Sequence, residues 1–258
     1  MNAGDPLVVE REGAVLTVRL DRPRVLNALD GPLLRALHAA LGTAADDPGV
    51  RCIVLMGNGR SFCAGGDLSA FLAMDGAEFA AYIEVLQALA RRMRALRIPT
   101  IAAVHGYVLA GGFELAAGCD IRIAADDAIF GLPDTGIGLS PTSGLSFLLP
   151  RIVGEGVARD LLLAGERFDA RRAEEVGLVS RVVPAGSLEG AARALAATIA
   201  GHPPDAIRRI KEELAAATEG AFEAALRDEA RHELACFEGP EVRARLQAFA
   251  DRKRAGSP

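Results

Sequence analysis

The hydrophobic positions in the first half of the chain alternate between short continuous runs and longer stretches at helical spacing. The continuous runs predict strands at residues 7–10, 14–20, 52–56, 100–104 and 119–124. The helical spacing predicts helices at residues 29–41, about 77–96 and 111–118. Asp30 precedes the first of these helices and Pro32 lies in its first turn, a combination that is typical of a helix N-terminus.

After about residue 140 the pattern changes to helical spacing almost throughout. Helices are predicted at residues 143–152, 157–164, 170–176, 188–200, 206–217, 221–237 and 242–254. This shift predicts an α/β core over residues 1–195 and an all-helical C-terminal region over residues 196–258, with no linker between them. The last two helices carry apolar stripes, which either cover the core of their own chain or pack on a neighbouring subunit.

Charge and cysteine content narrow the class of protein. The 258 residues carry a formal net charge of −5 with acids and bases interspersed, which argues against nucleic acid as a partner. Residues 1–11 lack the apolar core of a signal peptide. The most apolar stretch, residues 98–117, contains Glu114 and several glycines and is not predicted to enter a membrane. The four cysteines lack CxxC spacing, which predicts reduced, buried thiols and a cytoplasmic location.

Several common catalytic motifs are absent from the sequence. The four histidines are scattered without an HExxH motif, so no metal site is predicted. The chain also contains no Walker A loop and no GxSxG elbow. Gly136-Ile137-Gly138 lacks the third glycine of a dinucleotide fingerprint.

Two segments rich in small residues are the candidates for chemistry. Residues 61–68 read Ser-Phe-Cys-Ala-Gly-Gly-Asp-Leu after a predicted strand, and residues 105–115 join a strand to the helix that contains Glu114. Small residues let a ligand approach the backbone, and free N–H groups at a helix N-terminus attract negatively charged oxygen. Two such groups directed at one point form an oxyanion hole. Taken singly, each segment also fits an ordinary turn, and Glu114 fits an acid in a first helical turn.

In combination, these segments identify a family resemblance. Together with residues 20–29, 119–121, 130–134 and 165–179, they resemble the enoyl-CoA hydratase/isomerase family, the crotonases. The resemblance implies a crotonase-like spiral of β-β-α units followed by the helical C-terminal region. It also implies an acyl-CoA thioester as the ligand, with no metal or redox cofactor because coenzyme A arrives as part of the substrate. Crotonases usually assemble as trimers that pair into hexamers, so a homotrimer or homohexamer is expected, with the C-terminal helical region of residues 196–258 as the part that forms the oligomer.

The resemblance also implies roles for individual residues. The thioester oxygen is expected between the backbone N–H groups of Ala64 and Gly111, and the catalytic carboxylates are Glu114 and Asp134. Contacts with coenzyme A and substrate are expected from Arg22, Arg24, Ala28, Ala64, Gly65, Gly66, Asp67, Leu68 and Gly111. Surface charge is an equally good interpretation of the two arginines.

Two departures from the family pattern keep the reaction open. Asp134 occupies a position where Glu is usual, and a carboxylate misplaced by about 1 Å can lower a rate roughly a hundredfold. Thr142 stands where some isomerising or dehalogenating relatives carry an acid. An enoyl-CoA hydratase that needs both carboxylates is the leading hypothesis. An isomerase that needs one carboxylate and a crotonase-fold protein that binds without turnover are the alternatives.

Overall fold

The computed structural model describes residues 5–254, apart from the side chain of Lys253. Nine strands run through this part of the chain: β1 (Leu7–Glu12), β2 (Val15–Leu20), β3 (Cys52–Gly57), β4 (Thr100–Val104), β5 (Tyr107–Leu109), β6 (Ile121–Ala125), β7 (Ile129–Gly131), β8 (Arg167–Asp169) and β9 (Arg181–Val183). Six of them form one sheet in the order β1-β2-β3-β4-β6-β9. Only β1 runs antiparallel to its neighbour in this sheet.

A second, three-stranded sheet lies beside the first in the order β5-β7-β8. β5 and β7 pair in parallel, and β7 and β8 pair antiparallel. Each of β4 and β6 is followed directly by a strand of the second sheet. The chain therefore passes repeatedly from one sheet to the other, as a spiral of strand–strand–helix units requires.

The helices surround these sheets and dominate the C-terminal part of the described chain. Their bounds are α1 (Gly31–Asp46), α2 (Leu68–Ala73), α3 (Gly76–Ala95), α4 (Gly111–Ala117), α5 (Asp134–Ile137), α6 (Leu145–Val153), α7 (Glu155–Ala164), α8 (Ala170–Glu175), α9 (Leu188–Ala200), α10 (Pro204–Ala216), α11 (Glu219–Glu238) and α12 (Pro240–Arg254). None of the helices within residues 5–254 is long and apolar enough to cross a lipid bilayer.

The local sequence explains why the long helices begin where they do. Asp30 caps α1, with its Oδ1 accepting a hydrogen bond of 2.9 Å from the backbone N–H of Leu33. Asp75 and Glu78 form a reciprocal capping box at the start of α3. Every residue of β3 and β4 is buried, as their uninterrupted apolar runs predict.

Apolar packing covers both faces of the large sheet. One face packs into the main core with α1 and α3, while α9 lies on the other face against β2, β3, β4 and β6. The boundary predicted between residues 195 and 196 falls within α9. The C-terminal stripes pack within their own chain, because α11 lies on α3 and α6 and the ring of Phe237 stacks on Phe79 at 3.7 Å between centroids. Ile210 and Leu214 on α10, by contrast, are 52% and 70% exposed.

The prediction of almost pure helix after residue 140 is wrong at two places. β8 and β9 lie in that region, and each is only three residues long. A run of this length spans less than two periods of the alternation that marks a strand, so the pattern carries no signal. Both are strands because of long-range pairing, β8 with β7 and β9 with β6.

Candidate active site

The two candidate segments meet in the fold. The loop after β3 runs alongside β5, where the N–H of Cys63 donates to the carbonyl of Tyr107 at 3.0 Å and the N–H of Leu109 donates to the carbonyl of Cys63 at 3.0 Å. The fully buried Asn27 anchors the start of the same loop, with its Nδ2 donating to the carbonyl of Ser61 at 2.8 Å. Sequence reasoning did not single out Asn27.

Glycine is required where the two segments touch. A Cβ on Gly112 would lie 2.3 Å from the carbonyl oxygen of Cys63, which is closer than real Cβ contacts allow. Gly65 has a φ of +100°, and a Cβ there would lie 2.7 Å from the Cβ of Ala110. The small residues of the motif therefore permit two backbones to approach each other, before any ligand is considered.

The hydrogen-bond pattern corrects one predicted site residue. The backbone N–H of Ala64 donates to the carbonyl of Leu26 at 3.0 Å, so it is not free to bind a thioester oxygen. The N–H groups of Gly66 and Gly111 donate to no acceptor among residues 5–254. These two glycines are adjacent, since a Cβ on Gly111 would lie 3.8 Å from the nitrogen of Gly66. Gly66, predicted only as a substrate contact, replaces Ala64 as the candidate partner of Gly111.

Glu114 is buried in the first turn of α4, and Thr142 bonds both of its carboxylate oxygens. Its Oε1 accepts a hydrogen bond of 2.8 Å from the N–H of Thr142, and its Oε2 accepts one of 2.9 Å from the Thr142 hydroxyl. The residue is 4% exposed. Burial raises the pKa of Glu114, whereas the hydrogen bonds from Thr142 act to lower it. Thr142 thus orients this carboxylate.

Asp134 begins α5 and has a different environment. Its Oδ2 is enclosed and has no hydrogen-bond partner among the described residues. Burial raises the pKa of Asp134 to about 7, and the charge of Glu114 adds to the effect. A carboxyl group with this pKa can hold a proton at neutral pH and release it during a reaction.

Two further buried carboxyl groups, Glu229 and Glu233 on α11, were not predicted from the sequence. Glu229 accepts hydrogen bonds from the N–H groups of Gly144 at 2.6 Å and Ser146 at 2.8 Å, with one oxygen for each donor. Glu233 accepts with a single oxygen from the N–H of Ser140 at 2.6 Å and from its hydroxyl at 3.0 Å.

Both glutamates are 5% exposed. Burial raises the pKa of Glu229 to about 7 and that of Glu233 to about 8. They hold residues 140–146 from either side of Thr142. We call these seven residues the Thr142 loop.

A small cavity opens beside Glu114. Its open volume is about 50 Å³, which is room for a few water molecules. Gly111 and Glu114 line it, together with Ser143, Arg94 and apolar side chains from α3, α4, α6 and α11. Asp134 is not among the lining residues of this cavity. Gly111, which has a free N–H, and Glu114, one of the two candidate carboxyl groups, therefore line the same cavity.

Comparison with known proteins identifies the family. The family model described as "Enoyl-CoA hydratase/isomerase" matches residues 10–256. This chain belongs to the enoyl-CoA hydratase/isomerase family. A probable enoyl-CoA hydratase of Mycobacterium bovis is 40% identical over 233 residues, covering 90% of this chain and 88% of the relative. A 2,3-dehydroadipyl-CoA hydratase of Escherichia coli is 39% identical over 223 residues, covering 86% of this chain and 87% of the relative.

Solved structures agree with this assignment. The crystal structure of an enoyl-CoA hydratase from Mycobacterium avium subsp. paratuberculosis superposes with a TM-score of 0.87 at 30% identity, over 96% of each chain. The described fold is thus the crotonase fold with its helical C-terminal region. The chain has an enoyl-CoA hydratase-type function and an acyl-CoA substrate.

The residues of this hydratase-family chain that are predicted to contact coenzyme A differ in the exposure and bonding of their side chains. Arg22 is bound within the protein, since it pairs with Asp30 at 2.9 Å and Asp67 at 3.4 Å. Arg24 is exposed, whereas Ala28 is buried. Leu68 begins α2 and is half-buried. Of the two arginines, only Arg24 therefore has a side chain free to meet a phosphate.

Proposed function

We propose that the enzyme adds water across the double bond of a 2-enoyl-CoA, with Glu114 and Asp134 as an ionised and a protonated carboxyl group. The observation that carries this proposal is the difference between their environments. Burial raises the pKa of Glu114, but this carboxyl group accepts two hydrogen bonds from Thr142, which act against that rise and favour the carboxylate form. Asp134 has an enclosed, unpartnered oxygen and a pKa raised to about 7, which favour the acid form.

The proposed reaction divides the two proton transfers between these groups. Glu114 takes a proton from water as the water oxygen forms a bond to C3 of the substrate. The electron pair of the double bond moves onto the thioester oxygen and forms an enolate. Asp134 then delivers its proton to C2, and the carbonyl re-forms. Exchange with solvent returns a proton to Asp134 and removes one from Glu114 before the next turnover.

The N–H groups of Gly66 and Gly111 are the donors that we assign to the enolate oxygen. Both are free of other acceptors in the described chain, and both lie where the loop after β3 meets the start of α4. Removal of one oxyanion-hole donor typically costs about 2.7–4 kcal/mol of transition-state stabilisation. Two donors held by packed backbone therefore supply a large part of the rate enhancement.

A direct assay tests the proposal. We would incubate the purified enzyme with crotonyl-CoA and follow the loss of enoyl-thioester absorbance, with Glu114→Gln and Asp134→Asn as the variants. Glu155→Gln is the matched control, because Glu155 is exposed on α7 and makes only a surface pair with Arg159. We expect both site variants to lose most of the activity and the control to retain it.

The isomerase alternative predicts a different outcome. It requires one carboxyl group, so a single variant would lose activity, and a 3-enoyl-CoA would convert to the 2-enoyl form without gaining water. Incorporation of solvent oxygen into the product separates the two reactions. Full activity in either site variant would overturn the two-carboxyl mechanism.

Three further properties belong to the same proposal. The reaction as written moves only protons and water, so we propose that it needs no metal or redox cofactor beyond the coenzyme A of the substrate. We propose a homotrimer or homohexamer, as is expected of the family. We also propose a cytoplasmic location, supported by the free thiols of the four cysteines in the described chain.

A further inference from the structure

The segment that carries the free N–H of Gly66 is held against Leu29 by two backbone hydrogen bonds. The N–H of Leu29 donates to the carbonyl of Gly65 at 2.7 Å, and the N–H of Asp67 donates to the carbonyl of Leu29 at 3.0 Å. Leu29 also lies beside the other donor, because a Cβ on Gly111 would lie 3.0 Å from its Cδ1. The position of the Gly66 N–H therefore depends on how firmly this pairing is held.

Arg22 bonds both chains of this pairing. Its Nη1 donates to the carbonyl of Ala28, and its Nη2 lies 2.9 Å from the Oδ2 of Asp30. These two contacts lie on either side of Leu29 in the sequence. The same Nη2 lies 3.4 Å from the Oδ2 of Asp67 on the opposite chain. One guanidinium group therefore joins the two chains beside the candidate oxyanion hole.

The two carboxylates are each fixed by a helix as well. The Oδ1 of Asp30 caps α1 and accepts a hydrogen bond of 2.9 Å from the N–H of Leu33. The Oδ1 of Asp67 caps α2 and accepts one of 3.4 Å from the N–H of Ala70. Each carboxylate thus uses one oxygen for a helix and the other for Arg22. The three charged side chains are only 19–22% exposed, so solvent screens these ion pairs less than pairs on the open surface.

We propose that Arg22 is a positioning residue, which holds the N–H of Gly66 where the enolate oxygen develops its charge. This inference rests on the proposed function, because it takes Gly66 and Gly111 as the oxyanion donors. Such donors stabilise a transition state because they are held in place before the reaction. Without Arg22, the carboxylates of Asp30 and Asp67 would face each other without a cation, and their repulsion would act to separate the two chains.

Steady-state kinetics with crotonyl-CoA measure the effect on the reaction. Arg22→Met removes the cation, and Arg22→Lys keeps the charge but has one nitrogen in place of two. Asp67→Asn removes one ion pair while its amide oxygen can still cap α2. Arg19→Met is the matched control. Arg19 also bridges two carboxylates, Glu10 on β1 and Glu189 on α9, and its side chain is 13% exposed.

We expect Arg22→Met to lower kcat by on the order of tenfold to a hundredfold, as for a group misplaced by about 1 Å. kcat/KM should fall by a similar factor, because the lost interaction is made in the transition state. Arg22→Lys should be intermediate, and Arg19→Met should stay within about twofold of wild type. Arg22 and Asp67 act through the same pair, so the double variant Arg22→Met/Asp67→Asn should be little slower than the slower single variant.

An infrared measurement separates positioning from folding. Hydrogen bonds to a carbonyl oxygen weaken the C=O bond and lower its stretching frequency. We would record this frequency for butanoyl-CoA, a saturated thioester that cannot be hydrated, with an isotope label at the thioester carbonyl. Wild type and Arg19→Met should lower the frequency equally, and Arg22→Met should lower it less. The shift is measured on bound molecules alone, so a smaller folded fraction does not change it.

Wild-type kcat in folded Arg22→Met would overturn the inference. So would a lower kcat with an unchanged carbonyl frequency, or a higher KM with an unchanged kcat, which would indicate a contact with coenzyme A. If Arg22→Met does not fold, Asp67→Asn decides, and its carbonyl frequency must then lie nearer that of the free thioester. Failure of the wild-type enzyme to hydrate crotonyl-CoA would overturn the proposed function alone, because the infrared test needs no turnover.

Discussion

The carboxyl group of Asp134, whose Oδ2 is enclosed although the residue as a whole is only partly buried, has a consequence for stability as well as for catalysis. Its pKa is raised to about 7 from 3.8, so the folded state holds a proton that the unfolded chain releases. This contribution to stability is present below about pH 4 and is lost as the pH rises to about 7. We expect Asp134→Asn to increase the free energy of unfolding at pH 8 by on the order of 1–3 kcal/mol, because it removes the cost of ionising a buried acid.

Urea denaturation of both proteins at pH 5 and pH 8 measures this effect. Glu229 titrates in the same direction in both proteins, whereas the charge of Asp134 contributes to the raised pKa of Glu233, so the difference between the two proteins measures Asp134 together with its coupling to Glu233. The gain in the variant should be smaller at pH 5 than at pH 8. Identical pH dependence in the two proteins would contradict a proton held on Asp134.

Gly112 predicts a sharp steric penalty at the contact between the two site segments. A Cβ there would lie 2.3 Å from the carbonyl oxygen of Cys63. We expect Gly112→Ala to reduce the free energy of unfolding by about 2 kcal/mol or more and to lower kcat by shifting the neighbouring N–H of Gly111.

Gly190→Ala in α9 is the matched control, because no atom lies within 4 Å of a Cβ at that position. It should be neutral or stabilising by up to about 1 kcal/mol. Thermal unfolding and crotonyl-CoA turnover would be measured on both variants. Equal behaviour of the two alanine variants would show that the close approach is not tight.

At the same scale, the sequence located the site segments but not every group within them. Glu114 and Asp134 follow from the motif, whereas Ala64 was the wrong choice of oxyanion donor. Its N–H is bound by Leu26, a residue from an earlier and separate segment. A sequence motif shows which residues are small. It does not show which N–H groups remain free, because the hydrogen bonds that occupy the others form only in the folded chain.

At the scale of elements, α11 holds the Thr142 loop of the active site through two glutamates that use their carboxylate oxygens differently. Glu229 uses both oxygens to hold the Thr142 loop, so Glu229→Gln would turn an amide group toward one of two buried N–H donors. Glu233 uses one oxygen for both of its bonds, which a glutamine can still provide. We expect Glu229→Gln to lower kcat by on the order of tenfold to a hundredfold and Glu233→Gln to retain activity within about threefold.

Steady-state kinetics on Glu229→Gln, on Thr142→Val and on the double variant distinguishes a role of Glu229 in positioning Glu114 from a role in folding alone. If Glu229 acts through Thr142 and Glu114, its loss and that of the Thr142 hydroxyl should not be additive. The double variant Glu229→Gln/Thr142→Val should then be little slower than the slower single variant. Fully additive losses in kcat would argue that the two residues act independently.

The elements also show which parts of a fold a single sequence predicts well. α3 and α11 have long amphipathic patterns, and both lie within a few residues of their predicted bounds. β5, β7, β8 and β9 each have three residues, and their identity as strands comes from partners elsewhere in the chain. Periodicity is a local signal, and a strand of three residues is too short to show it.

At the scale of the whole molecule, the cysteines report on global unfolding. Burial raises the pKa of Cys52, Cys63 and Cys119 to about 12, so these thiols are neither ionised nor accessible in the native enzyme. Cys236 is half-buried on α11. At pH 8 we expect a thiol reagent to label at most Cys236 rapidly, and to label all four after denaturation in urea. Mass spectrometry of the labelled chain would identify each site, and rapid native labelling at Cys63 would show that the loop after β3 opens locally.

The bonds between the Thr142 loop and α11 have a consequence for the timing of synthesis. The sheets and the two motif segments lie in the part of the chain that a ribosome makes first, and domains tend to fold from the N-terminus as they emerge. Glu229 and Glu233, however, belong to the last helices of the described chain. A nascent chain can therefore build most of its core while Thr142 still lacks the contacts that help to hold it against Glu114. The active site is then completed only after α11 has left the ribosome, later than the sheets and the two motif segments.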